Sequence, residues 1–189
     1  MLSAERLLTA RNQRAVRLRA AVSADVPGIV ALERAVVAAG EGVVKTLNDV
    51  QDQRAAELLS DRIGSGHWVV AEWADEAGAI IGCCRLDQHK ASLIRHVATL
   101  SLEVHPDAQG VGIGRLLMEC ALDGARTAGS GASDAVRRIE LFVRADNARA
   151  RALYESVGFQ VEGVRRDFVR LSDGRFVDDL MMALLIERT

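Results

Sequence analysis

The run Leu100-Ser101-Leu102-Glu103-Val104-His105-Pro106-Asp107-Ala108-Gln109-Gly110-Val111-Gly112-Ile113-Gly114-Arg115-Leu116-Leu117 changes its hydrophobic period partway along. Up to Val104 it is apolar and β-rich. After the glycines, Ile113, Leu116, Leu117, Cys120 and Ala121 fall at spacings that share one face of a helix. A strand, a glycine loop and a helix start together make an anion site. The first N–H groups of a helix have no internal acceptors, and glycines let the main chain approach phosphate oxygens closely. The spacing also limits which nucleotide would fit. A dinucleotide fingerprint needs G-x-G-x-x-G, whereas here the glycines are Gly110, Gly112 and Gly114. A P-loop needs Gly-Lys-Ser/Thr, whereas Gly114 precedes Arg115.

Working outward, the pattern alternates along the chain. Val16 to Val22 suits a first strand, and Ser23, Asp25 and Pro27 open a helix running through Val37. Gly40, Glu41 and Gly42 break it, and Asn48 to Arg62 reads as a second helix striped by Val50, Ala55, Leu58 and Leu59. His67–Trp73, Ala79–Leu86 and Arg95–Val104 form an expected antiparallel meander, strands two to four. Gly112 to Thr127 is the next helix, Val136 to Val143 strand five, and Asn147 to Ser156 a short helix. Phe159–Leu171 and Phe176–Ile186 close the chain as a hairpin around Ser172, Asp173 and Gly174. The order predicts an α/β (α+β) fold, a mixed, mostly antiparallel sheet with helices on both faces.

The strand-to-helix junction resembles the acetyl-CoA motif of the GNAT (GCN5-related N-acetyltransferase) superfamily, Gln/Arg-x-x-Gly-x-Gly/Ala, met by Gln109, Gly112 and Gly114 after Val104-x-Pro106. A second block is also similar to that family: Asn147-x-x-Ala150-x-x-Leu153-Tyr154 followed by Gly158-Phe159. The resemblance spans about Val16 to Ile186, and its specific part lies between Leu102 and Phe159. It implies a GNAT fold in which strands four and five splay apart after a bulge. It also implies transfer of an acetyl group from acetyl-CoA, as co-substrate, to a primary amine by direct attack.

By the same resemblance, Leu102 and Val104 would pair with the pantetheine arm, with the Val104 N–H toward the thioester oxygen. Gln109, Gly110, Val111, Gly112, Ile113, Gly114 and Arg115 would hold the pyrophosphate. Asn147 would bond the pantetheine or cap its helix. Tyr154, the chain's one tyrosine, is the matched candidate for the acid that protonates the thiolate; packing against Phe159 is its structural alternative. For the base, Glu103 lies on the face opposite Val104. Steps of two back from Val104 give Leu102, Leu100, Ala98 and His96, none a carboxylate. His96 and, on strand five, Glu140 are the candidates, with a base-free route left open. Glu33, Glu41, Asp49, Asp178 and Asp179 could balance a cationic acceptor.

The closing hairpin, Arg165-Arg166-Asp167 through Asp178, resembles members that acetylate amino acids, polyamines or toxic amines. The first expectation is therefore a small-molecule amine acceptor. Acetylation of ribosomal-protein N-termini is the alternative, and an acyl-CoA sensor module with weak catalysis is the reading from another class.

At 189 residues, residues 1–189 suit one domain, with 1–14 as an extension and a core of about 16–186. The formal net charge of −2 excludes the electrostatic footprint of nucleic-acid or membrane-surface binding. Cys83, Cys84 and Cys120 have no metal-ligand spacing, so no metal is expected, and a reducing, cytoplasmic location fits. Arg6, Arg11, Arg14, Arg17 and Arg19 against Glu5 also suit a transit peptide, but are read as a solvated helix leading into the first strand. The final strand would offer a pairing edge for a homodimer.

Overall fold

In the computed structural model, which describes residues 5–40, 42–50, 63, 67–76, 78–128 and 135–186, the strands are β1 (Arg6–Thr9), β2 (Ala15–Ala20), β3 (His67–Trp73), β4 (Ile80–Gln88), β5 (Val97–Val104), β6 (Arg138–Arg144), β7 (Gln160–Arg170) and β8 (Phe176–Leu185). The described helices are α1 (Val26–Ala39), α2 (Ile113–Ala128) and α3 (Ala148–Val157). They form one mixed sheet in the order β1-β2-β3-β4-β5-β6-β8-β7. Every neighbouring pair is antiparallel except β5 with β6. The helix expected over 48–62 and Glu41 lie largely or wholly outside the described residues. No described helix is long and apolar enough to cross a membrane.

The two faces of the sheet are read directly from strand alternation. Val69, Ala71, Cys84, Leu86, Ala98 and Leu100 pack with Ile113, Leu117, Met118 and Leu122 of α2. Their neighbours Trp68, Val70 and Cys83 face the other way, onto Val26, Ile29 and Leu32 of α1. The adjacent cysteines thus belong to different cores. Gly82 makes the α2 side possible, since a Cβ there would stand 2.6 Å from Leu117 Cδ1.

The expected leading helix is instead a strand. Residues 6–9 pair with β2 from Arg6↔Leu18 to Thr9↔Ala15. The turn closes with the Gln13 N–H on the Ala10 carbonyl and Gln13 at φ 67°. The physical reason is that β2 would otherwise be an open edge, and Leu8 alternates inward onto the core while Leu7 stays exposed. The leading strand shifts the count, so strands four and five of the sequence reading are β5 and β6.

The final strand is not the edge. β8 runs between β6 and β7, pairing with β6 from Arg138↔Leu185 to Arg144↔Asp179. Leu180, Met182 and Ala183 are buried, whereas β7 is exposed along most of its length. The more apolar strand occupies the interior position, and β7 is left at the edge.

The splay expected between strands four and five is present. β5 and β6 pair only over Val97↔Arg138, Ala98↔Ile139 and Thr99↔Glu140, and then diverge. The expected bulge is not its cause in the β4 pairing. β5 keeps an unbroken register against β4 from Gln88↔Ala98 to Gly82↔Val104, so β5 stays with the meander while β6 follows β8.

Candidate active site

The divergence of β5 from β6 opens a cavity of about 710 Å³. Strand direction fixes what the main chain presents to it. The Val97 carbonyl accepts from His89, toward β4, while the His96 carbonyl accepts from Arg137 and Arg138, toward β6. By alternation Leu100, Leu102 and Val104 present their N–H and C=O groups on the β6 side. Beyond Thr99 no strand among the described residues pairs with them on that side. The Val104 carbonyl takes the Gln109 side-chain amide at 3.1 Å, and its N–H faces the cleft.

At the end of β5 the chain turns through Pro106–Ala108 into the glycine loop. Gly110 and Gly112 have φ of 82° and 96°, a region closed to most side chains. The Arg115 and Leu116 N–H groups both reach the Gly112 carbonyl, but no acceptor among the described residues takes the N–H groups of Gly110 to Gly114. Gly114 lets α2 approach, since a Cβ there would lie 3.2 Å from Leu153 and 3.7 Å from Val104. Arg149 donates to Gln109 Oε1 at 2.8 Å and borders the loop. This run of free donors beside a guanidinium is a fit for a diphosphate. The cleft main chain of Leu102 and Val104 fits an amide-bearing arm, so the site suits acetyl-CoA.

Asn147 has the helix-capping role, Oδ1 accepting from the Ala150 N–H at 3.1 Å. Its amide lies close under Gly42, where a Cβ would fall 2.0 Å from Nδ2. Arg144 holds the same connection through the Val43 carbonyl at 3.0 Å. Tyr154, on α3, lines the cavity and is 8% exposed. Burial pushes its hydroxyl well above the usual phenol value. Phe159 lies beside it, ring centroids 6.0 Å apart.

The cavity does not include the two proposed bases. His96 precedes β5, is exposed, and stands roughly 25 Å back from Val104 at about 3.3 Å per residue. Glu140 sits opposite Thr99 at the closed end of the junction, paired with Arg138 at 3.3 Å. Asp49 binds Thr46, and Asp178 accepts from the Asp167 N–H.

Among the described residues, the carboxylates that do line the cavity are Glu33, Glu103 and Asp179. Glu103 is on the face opposite Val104, as alternation requires, yet the cleft passes through the sheet and all residues from Leu100 to Val104 border it. Arg85 bonds Glu103 Oε1 at 2.7 Å, while Oε2 is buried without a hydrogen-bond partner. Burial raises the Glu103 pKa, against the pull of Arg85. Glu33, from α1, is buried and ion-paired with Lys45. Asp179 is held by Arg165, which stacks on Phe142 and Phe168 at 4.1 and 3.7 Å. No sequence signal joined these groups, because they come from separate elements.

Residues 41–159 match the model of the Acetyltransferase (GNAT) family. The chain is 43% identical over 90 residues to the [Ribosomal protein bS18]-alanine N-acetyltransferase of Escherichia coli (strain K12), 47% of this chain and 56% of that protein. It therefore spans little more than half the length of that relative. It is 34% identical over 143 residues to the N-alpha-acetyltransferase RimI of Mycobacterium tuberculosis, 68% of this chain and 85% of that one. A GNAT-family acetyltransferase structure from Streptococcus pneumoniae shares the fold, with a TM-score of 0.78 over 90% of this chain and 99% of that one at 23% identity. With a glycine loop, a splayed strand pair and this match over most of its length, the chain belongs to the GNAT acetyltransferase family.

Proposed function

We propose that this protein transfers the acetyl group of acetyl-CoA directly to a primary amine, and that the amine is the α-amino group of a polypeptide. The observation that carries this reading is the parting of β5 and β6 after Thr99 and Glu140, which leaves the Leu102 and Val104 main chain facing an open cleft. Acetyl-CoA would supply the activated acyl group. The chain's own residues do the rest. The N–H groups from Gly110 to Gly114 hold the diphosphate, and Leu102 aligns the arm as an added strand would. The Val104 N–H donates to the oxyanion as it develops. Tyr154, which burial keeps protonated, gives its proton to the thiolate as the C–S bond breaks, and the proton shed by the newly acylated nitrogen restores it. Glu103, whose burial raises its affinity for a proton, takes one from the incoming ammonium.

The polypeptide acceptor draws on the two relatives, a ribosomal-protein alanine N-acetyltransferase and an N-alpha-acetyltransferase. The cavity lining supports it: Val43, Val44, Phe142 and Phe168 give apolar walls suited to the first side chains of a peptide. A small amine is the second reading, favoured by the carboxylates Glu33 and Glu103 in the same cavity. Free-thiol release separates them. Peptides with a free N-terminus should turn over and N-blocked copies should not. Turnover confined to amino acids or polyamines would establish the small amine instead. Binding of acetyl-CoA with no turnover on any amine would point to a sensor module.

A further inference from the structure

The turn of the amino-terminal hairpin is docked on the glycine loop. The Arg11 N–H donates to the Val111 carbonyl at 2.9 Å. The Arg11 side chain then runs across Gly112, its Cγ, Cδ and Nε lying 3.6, 3.8 and 3.8 Å from where a Cβ on that glycine would stand. It borders the same cavity as Gly110, Gly114 and Arg149. The other arginines of the hairpin are committed elsewhere: Arg6 to Asp123, Arg14 to Asp75 and Glu76, Arg17 to Glu5, and Arg19 to Asp25 and Glu72. Among the described residues the Arg11 guanidinium makes no ion pair or hydrogen bond. It also lies outside the stretch that matches the family model, residues 41–159.

An exposed cation with no partner, laid along a run of free N–H donors, is an incomplete anion site. We propose that Arg11 binds the diphosphate of the cofactor, so that the amino-terminal hairpin is a working part of the cofactor site. Arg11 over Gly112 and Arg149 beside Gly110 flank the loop, one from the hairpin and one from α3. A guanidinium on each flank matches a group that carries charge on two phosphates. This rests on the glycine loop being the diphosphate site of acetyl-CoA.

The test is calorimetric titration of the full chain with acetyl-CoA and with 3′-dephospho-CoA, for the wild type, Arg11→Ala and Arg11→Lys. Arg11→Ala should weaken both ligands by roughly tenfold or more, the scale of a charge-assisted hydrogen bond. Arg11→Lys should recover part of the loss, and the difference should shrink as salt is raised. The anchor to Val111 is main chain, so the hairpin stays docked in both variants, and matched unliganded melting temperatures would verify it. Wild-type affinity in Arg11→Ala would overturn the proposal while leaving the cofactor reading intact. A loss seen only with the ligand bearing the 3′-phosphate would also overturn it. A wild type that binds neither ligand would remove the cofactor reading and this inference together.

Discussion

The side-chain amide of Gln109 donates to the Val104 carbonyl at 3.1 Å, while its oxygen accepts from Arg149 at 2.8 Å. One side chain thereby ties the end of β5, whose N–H faces the cleft, to the start of the glycine loop and to α3. Replacing it by alanine removes two hydrogen bonds worth about 1 kcal/mol each. Gln109→Ala should raise KM for acetyl-CoA by roughly 5- to 10-fold, with a smaller effect on kcat. Initial rates across a cofactor series measure both, and a loss confined to kcat would contradict the positioning role.

Tyr154→Phe keeps the ring that packs near Phe159 and removes only the hydroxyl. If that hydroxyl protonates the thiolate, kcat should fall roughly 100-fold, in the range of general acid catalysis. Acetyl-CoA affinity should stay near the wild-type value. Unchanged turnover would reduce Tyr154 to a packing residue.

Glu103 works as a base only when deprotonated, and burial raises its pKa above the ordinary value of about 4.3 for glutamate. The rate should therefore fall as pH drops through that raised value, giving an acid limb in kcat/KM. In Glu103→Gln the limb should vanish and the plateau should drop. A limb that survives the substitution would belong to another group.

Asp25 accepts from Arg19 through both oxygens, at 2.7 and 2.8 Å, and from the Val22 N–H. The Arg19 hydrogen bond leads in holding its carboxyl below the usual range. A depressed carboxylate stabilises the fold fully above its unfolded pKa, about 3.9, and loses that contribution as pH falls through the lower folded value. Asp25→Asn should cost roughly 2 kcal/mol at neutral pH, and the gap should close as pH falls through the depressed Asp25 value. Denaturant unfolding at a series of pH values reads this difference, and a constant gap would sink the assignment.

Much of the fold was legible in the chain. β3 lies at His67–Trp73, as its β-rich run reads, and α2 starts one residue after the predicted Gly112. These segments are strongly periodic, so local pattern and tertiary packing agree. The amino-terminal strand was missed because four residues, Arg6-Leu7-Leu8-Thr9, carry too little alternation to outweigh a run of arginines. The place of β8 was missed because a hairpin in sequence does not say which arm joins the rest of the sheet.

The sequence by itself determined the elements that repeat a local period, the glycine loop, and the free donors that a helix start must leave behind. Those follow from residues within a turn or two of one another. Tertiary structure alone decided which groups share the cleft. It placed Glu140 at the closed end of the junction, brought Glu33 from α1 and Glu103 from β5 to one cavity, and laid Arg11 across Gly112. The reason is that strand pairing stops after Thr99 and Glu140. A gap between strands joins both faces of a sheet, and strand alternation, which assigns each residue to one face, carries no record of where such a gap will open.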